Sequence, residues 1–394
     1  MNEHLIIRNF GPVTSLDIDI KPFTVFIGEQ GSGKSTISKV LTICRHSYMR
    51  YAIYEGKEDF FFDRLKEYGV FSYLNDKSYI SYSGDYSFVF DNYKFTNFDL
   101  GHYSKVRKQQ FISKLSGRDL TTKNDTPSLL RIQQTINDIN IALNTLLYIP
   151  SERLMATQLF SSLANIIINK IPIGQPMLEY MSLFEKARKA APSYEVPFLE
   201  ITYKFANGKD FVEVANSKTF VSVPMEEASS GIQSVLPLLM VFDYCSKQGY
   251  FNSFVIEEPE QNLFPSSQVE LLRFILSRRD NEDKDARFVL TTHSPYMLSA
   301  LNNYLYAAEL ANNPLVDKAE VDAVVPSNCQ ISVDDCVVYS LGKNLNGGEY
   351  CKSVISKETR LIDFNYLDKV SMDMGSEFDR LQNIYLNSLR KNRK

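Results

Sequence analysis

Leu16, Ile18 and Ile20 alternate with polar residues just after the turn Asn9-Phe10-Gly11-Pro12, so residues 4 to 27 predict short strands with one buried face. The apolar run Phe23, Val25, Phe26, Ile27 closes this region and leads into a glycine-rich loop, after which Lys34 to about Ser47 reads as a helix. A long interval, 48–147, then looks inserted. Within it, SYISYSGDYSFVFDNYKFTNF sets aromatic-rich alternating runs between two turn signals and predicts a small β-meander. Leu129, Ile132, Ile136, Ile139, Leu143 and Leu146 recur at spacings of three and four, the apolar stripe of a helix that PSER at 150–153 ends. Between Leu199 and Val223, turns at Asn207-Gly208 and Asn216-Ser217 separate three alternating segments, a second antiparallel meander. From Gly231 onward helix, strand, helix and strand follow in turn, the order of a parallel α/β sheet.

Composition narrows the class. The 394 residues are 44% hydrophobic and 23% charged, enough for one large or two medium cores. A net charge of -4 and a pI near 5.8 argue against a surface built throughout for nucleic acid, although Lys105, Arg107, Lys108, Lys114 and Arg118 form one local basic stretch. The five cysteines show no C-x-x-C pairing and there are only four histidines, which excludes zinc and disulfide frameworks and points to a reducing cytoplasm. No apolar run approaches the roughly 18 residues of a membrane span, so no membrane partner is expected.

The chemistry begins with FIGEQGSGKST, residues 26–36. It fits G-x-x-x-x-G-K-[ST] directly after a strand and before a helix, where backbone amides and the helix dipole converge on an anion. Gly28, Gln30, Gly31, Ser32, Gly33, Lys34, Ser35 and Thr36 are the expected phosphate-binding residues; Lys34 reaches the outer phosphates and the Ser35 hydroxyl ligates Mg²⁺. SFVIEEPEQNLFP, 253–265, is an apolar strand ending in two carboxylates. Glu257 is expected at the Mg²⁺ shell, one methylene longer than the usual Asp, and Glu258 beside the attacking water. His293, after a second apolar strand in RFVLTTHSPYMLS, falls at the same sheet edge and is placed as a contact to the γ-phosphate or the water. Ser229, Ser230 and Gly231 open an apolar helix and make a second anion cradle. One triphosphate needs one cradle, so the second is read as serving a nucleotide on another subunit.

GEQGSGKST, PSER, SSGIQ, FVIEEPE and TTHSP, in this order, resemble the ABC-type ATPase heads of the overcoming-lysogenization-defect (OLD) group, relatives of the SMC and RecF ATPases. SSGIQ stands where that superfamily has LSGGQ, with Ile232 replacing the second glycine. The resemblance implies an α/β P-loop NTPase of ABC-ATPase type, a mixed sheet flanked by helices with an α+β insertion between the phosphate loop and the Q-loop region. The expected division is a discontinuous head at 1–47 and 148–310, an inserted β-meander and helical subdomain at 48–147, and a C-terminal α/β extension at 311–394. It further implies a homodimer, open to higher assembly, in which two heads sandwich two ATP, with Ser230 and Gly231 closing over the partner's γ-phosphate and Glu258 as catalytic base. By the same resemblance Arg153 stands at the Q-loop, Gln261 and Asn262 at the dimer seam, and Arg8 and Asn9 near nucleotide.

Other phosphate-loop classes fit less well. A GTPase would need N-K-x-D, a small-molecule kinase has no use for the serine-capped helix, and a hexameric ring ATPase places its acid strand nearer the phosphate loop. No D-x-D follows His293, as a fused TOPRIM nuclease would require, and histidine is too scarce for an HNH nuclease. The expectation is therefore an ATPase that controls a separately encoded nuclease or toxin, similar to the ATPase components of two-gene anti-phage systems such as PARIS and Septu. The alternative is a RecF-like or SMC-like repair clamp that embraces duplex DNA.

Overall fold

The structure is a computed structural model that describes residues 3–54, 56–99, 146–159, 168–169, 172–216, 219–247, 251, 253–279, 286–342, 348–363 and 365–391. The basic stretch from Lys105 to Arg118 and the apolar stripe from Leu129 to Leu143 lie outside the described residues.

In chain order the first elements are β1 (Glu3–Phe10), β2 (Val13–Ile20), β3 (Phe23–Gly28), α1 (Lys34–Arg45), α2 (Ser47–Tyr54), α3 (Asp59–Glu67), β4 (Tyr79–Ser83), β5 (Ser87–Asp91), β6 (Lys94–Asp99) and β7 (Leu146–Ile149). Next come α4 (Met155–Leu159), α5 (Gln175–Ala190), β8 (Ser193–Val196), β9 (Ile201–Ala206), β10 (Lys209–Asn216), β11 (Thr219–Pro224), α6 (Ser230–Lys247), β12 (Ser253–Glu257) and α7 (Pro265–Ser277). The chain continues through β13 (Arg287–Thr292), α8 (Pro295–Ala311), α9 (Lys318–Val324), β14 (Cys336–Leu341), β15 (Cys351–Ser353) and α10 (Tyr366–Lys391).

The strands form three sheets, and the mixed α/β class read from the sequence is the one observed. The central sheet runs β15-β14-β3-β13-β12-β7, parallel throughout except for β15 at its edge. Its inner strands are apolar at nearly every position because both faces are covered. Successive residues alternate between two cores: Phe23, Val25 and Ile27 face one, with helices α6, α7 and α8, while Phe26, Val255 and Val289 face the other, with α1 and the N-terminal sheet. That N-terminal sheet has the order β2-β1-β4-β5-β6, so the 79–99 meander read from the sequence adds directly to the edge of β1. The third sheet, β11-β10-β9-β8, contains the second meander.

One element differs from its reading. Leu146 opens strand β7, buried beside β12, and does not end a helix. An apolar run of four residues carries no period that separates strand from helix, and here the parallel pairing with β12 decides.

Candidate nucleotide site

Parallel strands deliver their last residues to one edge, and β3, β12 and β13 are adjacent in the sheet. The phosphate loop, Glu257–Glu258 and His293 therefore share that edge. Gly33 caps α1 at φ 98°, a left-handed conformation open to glycine at little cost, and no side chain caps the helix start. Its first-turn amides are left for an anion. Within the loop, Lys34 Nζ donates to the carbonyls of Gly28 at 2.8 Å and Glu29 at 3.0 Å. Burial pulls the Lys34 ammonium down to about 8, against the nearby charges of Glu258, Glu260 and Glu257. Gln30, Gly31 and Ser35 are exposed, Thr36 is buried, and the half-buried Ser32 has a hydroxyl oxygen without a hydrogen-bond partner among the described residues. From the C-terminal part of the chain, Tyr350 donates its hydroxyl to the Ser32 carbonyl and steadies the loop.

β12 is buried along its whole length, and Glu257 at its end is 1% exposed. Burial pushes this carboxyl up to about 7; Lys39 pulls it down, Glu152 pushes it up, and the Tyr148 and Ser35 hydroxyls beside it favour the charged form. Among the described residues Glu257 Oε1 has no hydrogen-bond partner. An unpartnered buried carboxylate oxygen beside a serine hydroxyl is a hard-oxygen pair that suits Mg²⁺, which takes few protein ligands and completes its shell with phosphate oxygens and water. Among the described residues no cluster of three or more His, Cys, Asp or Glu side chains could hold an ion.

Glu258 turns the chain sharply. Its φ is 42°, unusual outside glycine. The conformation is held from both sides: its N–H donates to the Thr291 carbonyl at 3.0 Å, and its carbonyl accepts from Arg153 Nη2 at 2.6 Å. Its carboxylate Oε1 lies 3.4 Å from His293 Nε2. That contact with His293 holds the Glu258 carboxyl below the usual range despite burial, helped by Lys34 and Arg153.

Arg153 itself is fully buried, and its guanidinium also donates to the carbonyls of Glu257 at 2.8 Å and Pro259 at 3.1 Å. It grips three successive carbonyls of the acid loop. Glu260, the third acid of EEPE, is likewise buried and accepts from Thr292 Oγ1 at 2.6 Å and from the His293 N–H at 2.8 Å, tying the acid loop to the histidine.

The serine-capped helix, α6, starts at Ser230. Ser229 and Ser230 are exposed, and Ser229 Oγ accepts only a long 3.4 Å bond from the Ile232 N–H. Gln233 folds back to donate to the carbonyls of Glu226 at 3.0 Å and Ala228 at 2.7 Å. A Cβ on Gly231 would stand 2.6 Å from the Asn262 carbonyl oxygen, so glycine here permits the helix start to abut the acid loop.

A family model described as "AAA domain, putative AbiEii toxin, Type IV TA system" matches residues 23–299. The chain belongs to this AAA-domain family. The matched span opens with β3 and reaches into α8, so it contains the phosphate loop, both edge acids, the serine-capped helix and His293 of this AAA-type ATPase. No curated protein matches the sequence. Similar solved structures include an SMC head bound to the C-winged helix domain of ScpA, at 11% identity and TM-score 0.38, covering 91% of this chain and 99% of that one. The SMC head domain from Thermotoga maritima gives 11% identity and TM-score 0.38, over 90% and 98%.

Two residues of the AAA domain carry more of the site than the sequence revealed. Arg153 donates to backbone carbonyls of a distant segment and Glu260 ties its own loop to Thr292 and His293; local spacing announces neither role, and the available signals were the positions of Arg153 in PSER and of Glu260 in EEPE. Arg8, by contrast, lies with its guanidinium 5.2 Å from the Tyr79 ring centroid in the N-terminal sheet, and Asn9 Nδ2 donates to the Lys77 carbonyl.

Proposed function

We propose that this AAA-domain protein hydrolyses ATP in an ABC-type arrangement. The observation that carries the reading is the meeting, at one sheet edge, of an uncapped phosphate loop, the buried Glu257 beside Ser35, and the Glu258–His293 pair. Gly28 to Gly33 and the first turn of α1 cradle the phosphates, and Lys34 exchanges its loop carbonyls for phosphate oxygens. Ser35 and Glu257 would hold Mg²⁺, which would supply charge neutralisation at the phosphates. Glu258, kept ionised by its depressed pKa, orients and deprotonates the attacking water, while His293 fixes the position of its carboxylate. Arg153 and Glu260 keep this loop from relaxing.

The exposed Ser229–Ser230 pair, and Phe264 at 76% exposure just after the acid loop, support a second copy closing over this face and completing each pocket in trans. Control of a separately encoded nuclease or toxin in anti-phage defence is the biological reading; the toxin–antitoxin description of the family supports it. Lys34→Ala is expected to lose nucleotide binding, measured as loss of the thermal shift given by ATP. Glu258→Gln is expected to keep that shift, lose turnover by about 10²- to 10⁴-fold, and accumulate an ATP-dependent dimer in light scattering. Undiminished turnover in Glu258→Gln removes it as base, and a monomer with ATP bound removes the sandwich.

A further inference from the structure

α10, the last described helix, is rooted by Leu367 against the main core and by Asn365, whose N–H and side-chain amide donate to Asp368 at 3.1 and 2.9 Å. Beyond that root every residue from 371 to 386 is exposed. Met374, Phe378, Leu381 and Tyr385 follow one another at four, three and four residues, which places them along one stripe. Phe378, Leu381 and Tyr385 are each more than 60% exposed. The helix also contains Gly375 and several Ser and Asn residues, poor helix formers, so its own propensity gives it little hold in water. A helix of this kind is stabilised by packing its apolar stripe.

Charge identifies what packs there. Residues 366–379 hold four acids (Asp368, Asp373, Glu377, Asp379) and one base, Lys369. Residues 380–391 hold three bases (Arg380, Arg390, Lys391) and no acid. A helix that is acidic in its first half and basic in its second is complementary to itself, but only head to tail. We propose that α10 pairs antiparallel with α10 of a second copy of this chain. A two-fold axis near Leu381 sets Phe378 beside Tyr385 of the partner subunit and brings the acidic half, at Asp373, to the turn holding positions 390 and 391. The stripe is then buried against its own image and both charge halves are matched. This contact involves neither nucleotide nor the serine-capped helix, so the ATP-dependent dimer of Glu258→Gln is read in a chain that also carries Phe378→Glu and Leu381→Glu, and the two contacts stand or fall apart.

The test uses the full chain without nucleotide in analytical ultracentrifugation. Wild type is expected to be dimeric, and Phe378→Glu with Leu381→Glu monomeric, with an unchanged thermal melt of the head. Reversing Arg390 and Lys391 to Glu weakens the dimer by about tenfold or more, and adding Asp373→Lys and Glu377→Lys in the same chain restores it. A bismaleimide cross-links Gln382→Cys, near the axis, and leaves Met374→Cys alone uncoupled; a parallel pair would couple both. A monomeric wild type, a dimer indifferent to Phe378→Glu and Leu381→Glu, or a second reversal that fails to restore pairing overturns the proposal. Protection of α10 within a monomer also overturns it, since the stripe would then be covered by its own chain.

Discussion

The two ends of β12, about 13 Å apart for five residues of strand, each have a buried carboxylate at them, and treat it in opposite ways. At the N-terminal end, Glu3 from β1 reaches Arg45, which donates to Oε1 at 2.9 Å and to Oε2 at 2.8 Å, with Arg287 at 3.0 Å and the Tyr82 hydroxyl at 2.9 Å. Arg45 also donates to Ser253, the first residue of β12. Burial raises the Glu3 carboxyl, but Arg45, Arg287 and Tyr82 outweigh it and hold it below the ordinary value. At the other end Glu257 is equally buried, has an unpartnered oxygen and rises to about 7. The first acid is complete and fastens the N-terminal sheet to the central one. The second is incomplete among the described residues, which supports the metal position proposed for it. Burial alone does not distinguish the two acids; what does is an unpartnered oxygen at the phosphate-loop edge beside the Ser35 hydroxyl.

Breaking the complete cluster should have the largest effect on stability. Glu3→Gln leaves Arg45 and Arg287 facing each other without their anion, and is expected to cost about 3–5 kcal/mol, read as a drop in the urea midpoint. Glu257→Gln removes a charge that the fold does not neutralise, so nucleotide-free stability should hold or rise, while the added stability from Mg²⁺ with ATP disappears. Equal destabilisation by the two variants would end the contrast.

The two acids also predict opposite pH behaviour. For Glu257 the folded value is raised above the unfolded one, so between roughly pH 4.5 and 7 the folded chain retains a proton that the unfolded chain has lost, and stability falls as pH rises across this window. For Glu3 the folded value is depressed, so its contribution is present above the unfolded value and fades as pH falls through the folded one. Subtracting the pH profile of Glu257→Gln from that of wild type should isolate a slope of the first sign; a flat difference would mean that Glu257 has a partner in solution.

What the sequence made legible follows the same division. The phosphate loop, the acid strand and His293 could be read because their chemistry lies in local spacing, and both meanders because turn residues and alternation are local. The attachment of β4 to β1, the parallel pairing of β14 with β3, and the strand at Leu146 depend on partners far along the chain. Arg153 was legible only as a position in PSER. Its donation to three acid-loop carbonyls requires knowing that residues 150 and 257 are neighbours in space, which the pairing of β7 with β12 creates.

The smallest expected change in stability is the most discriminating for the trans pocket. Ser229 makes one long, exposed cap bond and Ser230 lies on the surface, so converting both to Ala should cost only about 0.5 kcal/mol. If these hydroxyls close over a partner's nucleotide, turnover should nevertheless fall by about tenfold or more. Mixing then locates the defect. A chain carrying Lys34→Ala retains its serines, and a chain carrying the two serine changes retains Lys34; a mixed dimer of the two has one intact composite pocket if the serines act across the interface, and none if they act within their own chain. Recovered ATP turnover on mixing two inactive variants is the expected result. Continued inactivity, with mixed dimers confirmed by differential tags, would return Ser229 and Ser230 to an ordinary helix cap.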